Sequence, residues 1–455
     1  MKNNMTNPVD TLAEFVSQSQ LKNIPDNVQS HAKLVMLDTV GVILAGFEQP
    51  EVQALQKTFL ATAGSGATVL TRGWPVNDPR TAALINGTAG RSIELCEGHR
   101  FVACQAGVQV LPGLLASAEV LGRRGDDLLL SLILGYDVAV RMGYSLTPRP
   151  LAHQNGQSSM IGAAAGGARL RNLNAQQTGQ AMRIAATFVL TPSYTNAVAG
   201  ATTLNAAGGM CGFTASLAPE MAQAGFIAQE DAIGEAFANL VGDGYQESKL
   251  LDQLGTTFEI TRNYFRLRAC CNPIYASLDA FEEAWAQAQV TPEQIERVEV
   301  YTYRFASAMQ SQTPRNGFAS KYSLPHAVAA IALRGNAGYG SFTESFVHSP
   351  EVAALRQRVF VKEDPALNAQ FPKLKPSRVT LTLKNGLTIT KTCESAKGDF
   401  QKPYQESEIR EKFHELAGLV LTDRGVAELE RTIDCVEQWK SIDTLMNVLR
   451  QHTAS

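Results

Sequence analysis

Acidic, cationic and imidazole side chains gather at a few places in this chain of 455 residues. Glu94, Glu97, His99 and Arg100 fall together in Glu94-Leu95-Cys96-Glu97-Gly98-His99-Arg100-Phe101. On a helix, Glu94 and Glu97 share a face three residues apart; two carboxylates with an arginine make either a binding site or a salt-bridged helix face. His153 lies in the loop of residues 148–156, ahead of a Gly/Ala-rich helix start, and an imidazole titrating near pH 6.5 can give or take a proton at neutral pH. Further on, Arg266 and Arg268 precede Cys270-Cys271, and Lys321 comes shortly before Ser323-Leu324-Pro325-His326. An arginine fork binds a carboxylate through two N–H groups. Acids, bases and cations of these kinds serve reactions that develop charge beside a substrate carboxylate.

Other chemistries find little support. The histidines show no His-x-x-x-His spacing and the cysteines no paired spacing for a metal, and no Gly-x-x-x-x-Gly-Lys loop cradles a phosphate. Seven scattered cysteines fit a reducing cytoplasm better than a disulfide framework. A net charge of −3 lacks the basic excess that nucleic acid demands. The apolar run of residues 34–47 is too short to span a bilayer and contains Asp38, and residues 1–14 show no signal-peptide core. Neither membrane nor export is expected.

These groups need elements to hold them. At about 150 residues per domain the length allows two or three domains. From Pro25 to about residue 260 the pattern is helical, with glycine and proline breaks and no alternating strand. Small residues crowd residues 162–168 and 199–212, which lets helix backbones approach closely in a buried core. After residue 290 the texture changes: residues 298–303 alternate, and residues 379–383 and 387–390 flank Asn385-Gly386 as a hairpin. A helical stretch, residues 323–333, lies between. From Ser407 the sequence turns helical again and could pack back on the first domain.

The order of motifs resembles the MmgE/PrpD family along nearly the whole chain. Leu37-Asp38-Thr39-Val40-Gly41 looks like its opening helix. Ala83-Leu84-Ile85-Asn86-Gly87, the Glu94 to Phe101 segment, Pro112, Gly135-Tyr136-Asp137 with Arg141, Asn263-Tyr264-Phe265-Arg266, Cys270-Cys271, Asp279, the Ser323 to His326 segment and Lys397-Gly398-Asp399 continue it. The resemblance implies a mostly α fold with an α+β lid: a large all-helical domain from both chain ends, residues 1–262 and 398–455, and a smaller inserted α+β domain, residues 263–397. It also implies an enzyme that acts without a cofactor and, as is usual in the family, a homodimer.

Carried over position by position, the resemblance assigns catalysis to His153, His326 and Tyr275. It assigns substrate binding to Glu94, Glu97, His99, Arg100, Gln105 and Arg266; Lys321, by its own charge and its nearness to His326, could hold a substrate carboxylate as well. The chain departs from the family where a His-Pro pair becomes Gln105-Ala106, where a lysine becomes Leu204, and where a histidine becomes Tyr275. The expected function is a cofactor-independent lyase, of dehydratase or decarboxylase type, using acid/base chemistry in the interdomain cleft on a small carboxylate-bearing substrate. An epimerase or isomerase of a small dicarboxylate, and a catalytically silent member that binds a small anion, are the alternatives.

Overall fold

Backbone contacts divide the chain into two units. The computed structural model describes residues 7–59, 66–70 and 74–453; the first six residues of the stretch read for a signal peptide lie outside the described residues.

The first unit comprises Met1–Ser193, Thr203–Asn263 and Gln405–Ser455. Its principal helices are α1 (Pro8–Gln18), α2 (Asp26–Gly46), α3 (Pro79–Ser92), α4 (Ala106–Leu121), α5 (Gly125–Ser145), α6 (Ser158–Leu170) and α7 (Ala206–Gln223). Local chemistry starts α3: Asp78 accepts from the amides of Arg80 and Thr81, and Pro79 takes the first helical position, where no amide is required. The apolar run at residues 34–47 belongs to the 21-residue α2, longer than the sequence pattern suggested because Asp26 to Lys33 add polar turns. By length and composition α2 and α5 could cross a membrane, yet 72% and 89% of their most apolar windows are buried in this fold. That is the setting of core helices.

Small residues let these helices touch backbone to backbone. A Cβ at Gly87 of α3 would stand 2.5 Å from the Gly208 carbonyl oxygen of α7, and one at Gly167 of α6 would stand 1.8 Å from the Ala215 oxygen. Gly167→Ala therefore gains about 1 kcal/mol of helix propensity but forces α6 and α7 apart, an overpacking cost of roughly 1–3 kcal/mol or more. A lower urea midpoint is expected; a raised one would show that the helices separate freely. The C-terminal helices close the unit. Lys412, on Glu406–Ala417, reaches Asp38 of α2 at 2.5 Å and the Leu95 carbonyl oxygen at 2.6 Å.

The second unit comprises Tyr194–Thr202 and Tyr264–Tyr404. Its sheet consists of β1 (Ile295–Thr302), β2 (Val359–Glu363), β3 (Ser377–Leu383) and β4 (Thr388–Cys393), in the order β4-β3-β1-β2. β3 and β4 form the hairpin read from Asn385-Gly386, where Gly386 takes a left-handed φ of 87°. β1 pairs antiparallel with β3 and parallel with β2. Helix α8 (Tyr275–Ala288) packs across the hairpin. Helix α9 (Leu324–Arg334) begins where Ser323 accepts from the His326 amide. The short Tyr194–Thr202 segment, read from sequence as part of the helical domain, belongs to this second unit.

Candidate active site

The Glu94 to Phe101 segment is not helical. Helix α3 stops at Ser92, and a turn leads into the short strand Gly98–His99, so Glu94 and Glu97 do not share a helix face. The break occurs at Glu94, whose φ of 58° lies in the left-handed region. Glutamate gains nothing from that conformation, which costs about 1–2 kcal/mol for a residue with a Cβ. Among the described residues four other non-glycine residues have positive φ, and Glu94 is the buried one of the five. Its carboxylate is hydrogen-bonded by Arg91, one turn back on α3, and both side chains are sealed from solvent.

Glu97 is turned elsewhere. It accepts from the Tyr136 hydroxyl at 2.6 Å, the Gly107 amide at 2.7 Å and Asn263 at 3.3 Å. Burial pushes its carboxyl up to about 7, against the pull of those donors and with help from nearby Asp38. Folding therefore favours the protonated acid. The stability it contributes is complete below about pH 4.5, the carboxyl's ordinary value, and is lost as the pH rises to about 7. Glu97→Gln should flatten this part of the pH dependence, read as urea midpoints at pH 5 and pH 8; an unchanged slope would assign it to another group. His99 stands 3.1 Å from Glu259 and edge-on to Tyr144. Arg100 lies over the Phe101 ring.

Two helix starts in this unit meet the end of α3, and the start of α6 meets both of them. Gly90 of α3 lies against Val108 of α4, and Gly208 of α7 lies against Arg91. The Ala103 amide, just before α4, donates to Gln154, just before α6, at 2.9 Å. Ser159 of α6 and Cys211 of α7 are 3.8 Å apart. Burial first, then nearby Glu97 and Cys211, raises the Cys104 thiol far above its ordinary range. Glu94, Arg91, Gln105, His153 and Asn205 thus belong to one end of the bundle. His153 is 4% exposed, and its Nδ1 accepts the Asn155 amide at 3.3 Å. With Nδ1 so engaged, the neutral ring carries its proton on Nε2. Leu204, where the family pattern has lysine, is a buried apolar residue.

The remaining sequence-derived candidates belong to the second unit. Tyr275 donates to the Arg268 carbonyl oxygen, and burial raises its phenol well above the ordinary value. Arg268 is engaged with Asp279 at 2.6 Å and Glu282 at 2.7 Å. Arg266 reaches the Tyr264 hydroxyl at 3.1 Å, and the Lys321 carbonyl oxygen accepts the Cys271 amide at 2.9 Å. Arg266, Tyr275 and Lys321 are therefore grouped around the cysteine pair. His326 stands apart, fully buried against Phe342 and Phe346. Its Nε2 faces the Ser341 carbonyl oxygen at 2.8 Å, and its Nδ1 accepts Arg356 at 3.1 Å. Burial pulls its pKa down to about 4, and both ring nitrogens are spent on the core. His326→Ala should cost roughly 2–4 kcal/mol, through a cavity and the loss of one acceptor of Arg356, which keeps the Val347 carbonyl oxygen, yet leave turnover per folded molecule within about twofold. Loss of turnover at full stability would restore it to the chemistry.

Arg91, Asn155 and Asn205 escaped the sequence reading. Arg91 looks like an ordinary last-turn helix cation, and the two asparagines look like loop and cap residues. Among the described residues no group of three His, Cys, Asp or Glu side chains could hold a metal ion.

Models of the MmgE/PrpD N-terminal domain and of the MmgE/PrpD C-terminal domain match residues 10–244 and 269–438. A mostly helical enzyme of lyase type is what this fold and its relatives define. The chain belongs to the MmgE/PrpD family. Cis-aconitate decarboxylase of Aspergillus terreus is 21% identical over 470 residues, covering 96% of this chain and 95% of that protein. The cis-aconitate decarboxylases of Mus musculus and Homo sapiens are each 23% identical, covering 97% of this chain and 93% and 94% of their own lengths.

Proposed function

We propose that this protein is a cofactor-independent lyase that removes water or carbon dioxide from a small carboxylate-bearing substrate, with Glu94 and His153 as its proton-handling groups. The observation that carries this reading is Glu94: a buried carboxylate held against Arg91 on a backbone that no local preference explains. Strain of this kind persists where the surrounding fold enforces it, and function is the usual reason. The names of the relatives support the same reaction class.

In a dehydration, Glu94 would take the proton α to the carboxylate. The C–O bond then breaks, the hydroxyl leaves as water with a proton, and a double bond forms. In a decarboxylation, the C–C bond breaks, carbon dioxide leaves, and the electron pair left on carbon takes a proton. Both routes pass negative charge onto a carboxylate or enolate oxygen, which the Nε2–H of His153 is suited to stabilise.

Incubation with succinates, hydroxysuccinates, citrate and cis-aconitate in deuterated water, followed by proton NMR, tests the reading. A new olefin signal, or deuterium incorporated on loss of carbon dioxide, is expected for at least one substrate. Exchange of an α-proton without a new bond order would favour epimerisation, and no change with any substrate would sink both.

A further inference from the structure

The three helix starts share a second property. Gln105, Gln157 and Asn205 occupy the capping positions of α4, α6 and α7, and none of these side chains caps its own helix. With Gln109, one turn along α4, Asn155, ahead of α6, and Ser158, its first residue, they make six polar side chains, each at most 5% exposed. Both polar atoms of Gln109, Asn155 and Asn205, the carbonyl oxygens of Gln105 and Gln157, and the Ser158 hydroxyl find no hydrogen-bond partner among the described residues. Buried polar side chains are hydrogen-bonded as a rule. Six exceptions gathered at one end of one bundle mark a place built for a polar guest.

The chemistry of the guest follows from the side chains. A carboxylate only accepts hydrogen bonds, so it can satisfy amide N–H groups but never amide oxygens. The box offers both kinds, whichever way each amide is turned, so its guest must also carry hydrogens on oxygen or nitrogen. Arg91 already faces Glu94, and Leu204 precedes Asn205. A trianion would enter this box with little countercharge, which a buried setting penalises heavily.

Resting on the active site proposed above, we infer that the substrate is a hydroxylated acid of low charge: one or two carboxylates and two or more hydroxyls, as in a sugar acid. A tricarboxylate does not match the box.

Calorimetric titration of the intact protein with succinate, malate, tartrate, galactarate and tricarballylate tests this. Affinity should rise roughly tenfold with each of the first hydroxyls, the equivalent of one well-made hydrogen bond, and tricarballylate should bind weakest. Asn155→Leu should reduce the tartrate-to-succinate ratio to near unity; the wild-type series decides the matter even if that variant does not fold. Tighter binding of tricarballylate than of tartrate, affinity indifferent to hydroxyls, or no binding at all, with the box filled by ordered water only, would each overturn the inference. Scoring the same acids for proton exchange separates the two readings. Hydroxyl preference without turnover keeps this inference and removes the lyase, whereas turnover confined to tricarboxylates does the reverse.

Discussion

Glu94→Gln is expected to lower kcat/KM by roughly 10²- to 10⁴-fold, the usual loss when a general base disappears. Glutamine preserves the shape of the side chain and can still accept from Arg91 through its carbonyl oxygen, but it cannot take a proton from carbon. The substitution also leaves a buried arginine facing a neutral group, at a cost of up to about 3–5 kcal/mol, so a urea titration must accompany the assay and activity must be expressed per folded molecule. Glu94→Gly supplies the control that separates strain from chemistry. Glycine adopts the left-handed φ of 58° found at this residue without penalty, so a relaxed backbone with no carboxylate should be as inactive as the glutamine variant. An active glycine variant would place the role of this residue in the turn and not in its acid.

His153→Ala should follow with a loss of roughly 10²- to 10³-fold, the range for removing one hydrogen-bond donor from a developing oxyanion. The Asn155 amide on Nδ1 makes the ring a donor at Nε2, and that assignment separates two roles. If His153 donates, His153→Gln should recover a measurable part of the lost rate, because an amide N–H can stand near the same oxygen. If it acts as a base, glutamine should be no better than alanine. Steady-state kinetics of the three proteins on one substrate decides between them.

The parts of this fold that were legible in the sequence are those written in local code. Asn385-Gly386 between alternating runs dictates a hairpin, and Ser323 with Pro325 dictates the start of a helix, because each rests on the conformational preferences of two or three adjacent residues. The parallel strand Val359–Glu363 was not read: it is five residues long, ends in Lys362-Glu363, and obtains its place from β1, which lies far away in sequence. The stop of α3 was invisible for the opposite reason. Glutamate favours helix, and the left-handed turn at Glu94 is imposed by tertiary structure. In the candidate site, single residues such as His153 and Glu94 were identifiable by type and position. The amide box was not, because Gln105, Asn155 and Asn205 are separated by about fifty residues each, and only the crossing of α4, α6 and α7 brings them together. His326 shows the limit from the other side: its type and motif suggested chemistry, and burial between two phenylalanines and Arg356 gives it a structural task.

The pairing of Asp38 with Lys412 spans 374 residues. On a ribosome adding about 5–20 residues per second, roughly 20–75 s separate the emergence of α2 from that of its partner helix. Throughout that interval the apolar length of α2 has no C-terminal helix to cover it, and Asp38 no lysine to neutralise it. The helical unit therefore completes its assembly only once the whole inserted α+β unit has been made, so slower translation of that unit lengthens the exposure of α2.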